Sequence, residues 1–168
     1  MKNGSNKSRV LKTRIDLAEP ARRTLIELLN QQLANLADLF SQTKHAHWNV
    51  KGPQFWSLHK LFDELAGHVV EFADEVAERA TALGGVANGT ARMVVASTQL
   101  SEFPAGVSAG VEVVKALADA FGTTSNAIRH AIDAADKLGD AGTADLFTQI
   151  ARDLDEALYF LESHLNGE

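Results

Sequence analysis

Residues 43–79 read TKHAHWNVKGPQFWSLHKLFDELAGHVVEFADEVAER, and the fold turns on how this stretch divides. Gly52-Pro53 breaks it, because proline lacks a backbone donor and restricts the residue before it. Upstream, Leu25, Leu28, Leu29, Leu33, Leu36, Leu39 and Phe40 recur at helical spacing. A first helix is therefore predicted from about Pro20, a good first-turn residue, to about His47. A second runs from about Pro53 to Leu83 and stops at Gly84-Gly85. At roughly 27–30 residues each, or ~40–45 Å, both exceed the usual helix length and suggest a bundle.

Beyond them, residues 85–104 form a long connection with a short helix at about Ala91–Ser97. A third long helix is predicted over about Ser108–Lys137, weakened by Gly110 and Gly122, and a fourth over about Thr143–Leu165. No strand pattern and no internal repeat competes. The fold class is all-α: a four-helix bundle with a short extra helix in the long connection between helices 2 and 3.

The 168 residues, 45% apolar and 23% charged, fit a single soluble domain large enough to bury a core. No apolar run approaches membrane-spanning length, so no membrane partner is expected. The N-terminus lacks the apolar region of a secretory signal. The absence of cysteine removes disulfides, thiolate metal sites and cysteine nucleophiles, and is compatible with a cytoplasmic location. Net charge is −6, but residues 1–15 hold Lys2, Lys7, Arg9, Lys12 and Arg14 with no acidic residue; that segment is +5 and the remainder −11. Residues 1–15 read as a mobile basic tail and 16–168 as the bundle domain. The tail is either a solvated terminus without a role or an arm that neutralises phosphates without reading sequence.

Five residues of the opening stretch, His47, His59, Asp63, Asp74 and Glu78, read as one kind of metal site. At 100° per residue, His59, Asp63, Asp74 and Glu78 fall at roughly 0°, 40°, 60° and 100°, on one face of the second helix. They form two i,i+4 pairs, each able to offer two donors to one ion. The midpoints of the pairs lie about 22 Å apart along the axis, whereas metal–ligand bonds are roughly 2.0–2.2 Å. One helix cannot bring both pairs to one metal. Two copies packed antiparallel across a two-fold axis can, and they make two equivalent sites. The crossing falls near residues 68–69, where small Ala66 and Gly67 allow close approach. His47, just before the turn, can lie beside His59 as a further ligand. Two imidazoles and three carboxylates suit Fe(II), and also Zn or Mn; redox catalysis would select iron (Fe2+/Fe3+). The competing reading is an acidic surface helix with a His–Asp salt bridge. No Glu in the chain is followed three residues later by His, which disfavours a di-iron site within one chain.

The combined pattern TKHAHWNVKGPQFWSLHKLFDE with the following D…AER, GGVANGT after the second helix, and TADLFTQIARDLDEALYFLES near the end resembles the Dps family, the mini-ferritins. The single long crossover between the second and third helices matches ferritin-like connectivity. The resemblance covers essentially all of the chain after the tail. It implies a hollow homododecamer that oxidises Fe(II), usually with hydrogen peroxide, at two-fold-shared sites and stores Fe(III) as mineral, protecting DNA from oxidative damage. It implies His47, His59, Asp63, Asp74 and Glu78 as ferroxidase ligands. Beside them would sit Trp48, absorbing stray oxidising equivalents, packing in the core, or both. Asp136, Asp140 and Asp145, around the turn between the third and fourth helices, would line a three-fold pore through which Fe(II) enters; a solvated acidic loop is the plain alternative. Some members bind DNA non-specifically through a lysine-rich tail, and many tails on one shell would sum weak contacts. A nucleoid-associated, stress-response protein follows. The alternative is a DNA-compacting nucleoid protein whose metal site is incidental or structural.

Two positions depart from the family pattern. Tyr159 stands where many relatives carry Trp, and Glu156 where Lys is common. His68, opposite the ligand face, and His45, His130 and His164 read as structural or surface residues, and Trp56 as interface packing.

Overall fold

The computed structural model describes residues 10–166. It contains five helices: α1 (Glu19–Asn49), α2 (Phe55–Ala82), α3 (Ala91–Ser97), α4 (Gly110–Lys137) and α5 (Ala141–Ser163). Among the described residues there is no strand, only an isolated bridge between Lys51 and Ala109. α1 and α2 form one helical hairpin and α4 and α5 the other; α1 packs on α4, and α2 on α5. The Lys51–Ala109 bridge places the starts of α2 and α4 at the same end, so the 83–109 connection must return the full length of the bundle. No helix among the described residues is long and apolar enough to cross a membrane.

The expected periodicity becomes a core. Leu25, Leu29, Leu36 and Leu39 of α1 are fully buried against Leu58 and Phe62 of α2, Leu117, Phe121 and Ile128 of α4, and Phe147, Ile150 and Leu154 of α5. Each such side chain contributes about 1.5–3 kcal/mol on leaving water. Leu28 and Phe40 are only half-buried, at the edge of the apolar stripe.

Polar side chains of α1 hold the long connection. Asn30 donates to the Val86 carbonyl and accepts from the Asn88 N–H. Asn35, 1% exposed, bonds Gln32 and both the backbone and side chain of Gln99. Asp38 accepts from Thr98, and Gln42 donates to the Ser101 carbonyl. Gln31 donates to the Ser97 carbonyl, and residues 31, 35, 38 and 42 recur at helical spacing, so one polar stripe of α1 faces the connection.

The expected mobile tail is corrected at its inner end. Leu11 N–H donates to the Gly84 carbonyl at 2.8 Å. The buried Arg22 guanidinium donates to the carbonyls of Leu11, Leu17 and Leu83. Gly84 has φ +90°, and a Cβ there would lie 2.5 Å from the Leu11 oxygen, so glycine is required by both conformation and contact. The chain is thus tied to the bundle from Leu11, not from residue 16. Lys12 and Arg14 are exposed on this tied segment, whereas Lys2, Lys7 and Arg9 lie outside the described residues.

Candidate metal centre

The short turn between α1 and α2 brings His47 and His59 face to face, with ring centroids 3.8 Å apart and planes at 20°. Each ring is held by the other residue's main chain. His47 Nδ1–H donates to the His59 carbonyl at 2.7 Å, and His59 Nδ1–H donates to the His47 carbonyl at 2.9 Å. A carbonyl only accepts, so the hydrogen sits on Nδ1 in both rings. Both Nε2 lone pairs are then left for a metal ion, in the orientation that a carbonyl bonded to the other ring nitrogen gives metal-ligating imidazoles. Phe55 and Trp56 flank His59, with centroids 5.2 and 6.3 Å away, and the Lys60 ammonium lies over the Trp56 ring.

Asp63 joins this pair. Its Oδ1 is 3.9 Å from His47 Nε2 and 2.8 Å from Lys44 Nζ. The Lys44 hydrogen bond holds the Asp63 carboxyl below the usual carboxylate range, against partial desolvation. Lys44 is not among the residues expected at the site. Its signal was there: Lys44 precedes His47 by three positions and so shares its face of α1.

Asp74 and Glu78 are exposed on the same face of α2 as Asp63, and among the described residues no donor engages either carboxylate. Nor do any three His, Asp or Glu side chains among those residues converge to hold a metal ion within one chain. The candidates fall in two separated groups: His47, His59 and Asp63 at one end of α2, Asp74 and Glu78 nearer the other. Ala66 is 1% exposed and faces its own bundle, so of the two small residues expected at a helix crossing only Gly67 points outward. Trp48 is 64% exposed, which corrects the idea that it packs in the core of its own chain.

The three candidate pore carboxylates part company. Asp136 and Asp145 are exposed. Asp140 is 4% exposed; Arg79 Nη2 donates to both its oxygens at 2.7 and 2.8 Å, and the side chain caps α5 by accepting from Thr143 N–H. Burial pushes its carboxyl up, but the Arg79 and Thr143 hydrogen bonds outweigh that and leave it below the usual range. A carboxylate so engaged cannot line a channel, and the expectation for Asp140 is withdrawn. The same cap explains why α5 starts at Ala141, two residues before the expected start.

The family model for a ferritin-like domain matches residues 26–167. A DNA protection during starvation protein of Agrobacterium fabrum is 43% identical over 154 residues, spanning 92% of this chain and 95% of the relative. The chain belongs to the Dps family of ferritin-like proteins. DpsC from Streptomyces coelicolor aligns with a TM-score of 0.92 at 30% identity, covering 100% of this Dps chain and 98% of that one. A Dps protein from Vibrio cholerae O1, described as a member of a broad superfamily of ferritin-like diiron-carboxylate proteins, aligns with a TM-score of 0.87 at 26% identity, covering 95% and 100%. The long crossover and the hairpin pairing are thus features of a Dps subunit.

Proposed function

We propose that this Dps chain is a ferroxidase and iron-storage subunit. It would assemble as a homododecamer with metal sites shared across two-fold axes. One observation carries the reading. His47 and His59 are locked with both Nε2 atoms free beside Asp63, while Asp74 and Glu78, on the same face of α2, complete nothing in their own chain. Antiparallel apposition of two α2 helices joins each three-ligand half to a two-carboxylate half.

Fe(II) is the substrate. The imidazoles favour the ferrous ion and the carboxylates the ferric product. Oxidation of two Fe(II) by one hydrogen peroxide, with uptake of two protons, yields two Fe(III) and two waters. The pairwise reaction releases no hydroxyl radical, and the exposed Trp48 indole beside the site would take up stray one-electron equivalents. Asp136 and Asp145 would draw Fe(II) toward the pore. A groove of about 360 Å³ between α2 and α5, lined by Glu64, His68, Glu71, Glu75, Asp153 and Glu156, would receive ferric ions from the neighbouring face. Removing Fe(II) and peroxide together protects DNA, which fits the name of the Agrobacterium relative. Direct, non-specific DNA binding would come from Lys2, Lys7, Arg9, Lys12 and Arg14, as five basic residues without an acidic one.

Stopped-flow oxidation of Fe(II) by peroxide and by dioxygen tests the first reading. The His59→Ala/Asp63→Asn protein should lose the rapid peroxide-dependent phase while keeping its assembly mass; unchanged rates would overturn the assignment. For the tail, deletion of residues 2–10, which removes three of the five cations, should strongly weaken DNA retardation at low salt. Equal binding by the truncated protein would remove that role.

A further inference from the structure

Resting on the shared-site reading above, we propose that Gly67 and Val70 set the register at which two copies of α2 meet. They act as positioning residues for a site whose ligands they do not touch. Pairing His59 with the partner's Glu78, and Asp63 with the partner's Asp74, centres both pairs on one point, midway between His68 and Val69. One step inward, the same point pairs Gly67 with the partner's Val70, and by symmetry Val70 with the partner's Gly67.

Within one chain, neither residue is explained. A glycine in the middle of a long helix carries an entropic cost, yet a Cβ at Gly67 would meet nothing within 4 Å, so its own subunit does not require it. Val70 is 44% exposed, while Leu58, Phe62, Leu65, Val69, Phe72 and Val76 of the same helix are all 7% exposed or less. Gly67 and Val70 lie at roughly 80° and 20° on the wheel that puts the ligands between 0° and 100°. Both oddities therefore sit on the ligand seam, three residues apart, either side of the expected axis. An isologous contact accounts for both: each Val70 fills the space over the other chain's Gly67.

Charge fixes the direction. Lys44, Lys51 and Lys60, on Asp63, Phe55 and Trp56, outnumber Asp63 and Glu64 at the histidine end, whereas the seam positions Asp74 and Glu78 at the other end are acidic and Arg79 there is turned to Asp140. Antiparallel helices set unlike halves together, and parallel ones would oppose like charges. A slip of one turn moves each ligand pair by about 5.4 Å, far beyond a metal–ligand bond of roughly 2.0–2.2 Å.

The test uses the full chain in four forms: wild type, Gly67→Val, Val70→Gly and the exchange Gly67→Val/Val70→Gly. Assembly mass comes from sedimentation, and bound Co(II) from its d–d absorption, with helix content as the check on folding. Gly67→Val sets valine against valine at the axis and should weaken Co(II) binding about tenfold or more, with partial loss of assembly. Val70→Gly leaves a gap and should fall between. The exchange puts one valine against one glycine again at the same register and should recover both readouts. The proposal is overturned if Gly67→Val assembles and binds Co(II) like wild type, or if the exchange is no better than Gly67→Val alone. If wild type binds no Co(II) that His59→Ala removes, the shared-site reading fails instead, and the four masses still decide the register.

Discussion

Replacing Arg79 by Ala should destabilise this protein by about 3 kcal/mol, the lower end of the range for stripping one partner from a buried ion pair. The lower end applies because Arg79 keeps 25% side-chain exposure while Asp140 keeps 5%. The variant leaves a carboxylate inside the α4–α5 turn with Thr143 as its remaining partner. For a chain of this length, about 3 kcal/mol corresponds to roughly 6–12 °C in Tm. Calorimetry at fixed protein concentration, needed because assembly feeds into apparent stability, measures it. Acid supplies an internal control. The Asp140 carboxyl is held below its ordinary value of 3.8 in the folded wild type. The contribution of the pair is therefore complete above that value and lost as pH falls through the folded one, so the gap between wild type and variant should close on acidification. In the variant, burial acts without Arg79, the carboxyl is pushed up, and the variant gains stability on protonation at less acidic pH. Replacing both partners, Arg79→Met with Asp140→Leu, should cost less than Arg79→Ala. A loss under 1 kcal/mol at neutral pH, or a gap that does not change with acid, would refute the assignment of this pair as the strap between α2 and the α4–α5 turn.

Lys44→Met should tighten Zn(II) or Co(II) binding at the histidine half, because the ammonium no longer competes for Asp63 Oδ1; titration calorimetry reads it, and unchanged or weaker binding counts against a competing cation. Gly84→Ala should cost at least ~1–2 kcal/mol from its positive φ alone, and contact with the Leu11 oxygen adds to that. Faster amide exchange at Leu11 should accompany the loss. Asn35→Ala should cost about 2 kcal/mol by orphaning the polar groups of Gln32 and Gln99, with early proteolysis in the 85–104 connection as its signature.

The fold was legible wherever apolar period and helix punctuation agreed. Gly52-Pro53, Gly84-Gly85 and the leucine stripe of α1 placed the first hairpin within a few residues, and the short helix emerged at Ala91–Ser97 as expected. Wheel angles and axial rise also placed the four α2 candidates on one face in two separated pairs, because both follow from local helix geometry. What stayed hidden depends on partners distant in sequence. Asp140 looked like an exposed loop acid because nothing near it announces Arg79, 61 residues upstream. The inner tail looked free because Arg22, which ties Leu11, reads as an ordinary helical cation until its burial is seen. The wheel counts angle but does not show which flank of a face touches the bundle, so Ala66 and Gly67 could not be told apart.

The exchange of hydrogen bonds between the two histidines has a dynamic consequence. Each imidazole is tethered to the main chain of the other, so fluctuation of the α1–α2 hairpin carries both rings together as one rigid unit. The spacing between the two Nε2 atoms would therefore be insulated from breathing of the hairpin, while in the proposed shared site the distance from this unit to Asp74 and Glu78 of another subunit would not be. Thermal motion would enter such a shared site through relative movement of subunits, so the stiffness of the assembly would set how sharply the ligand cage is defined.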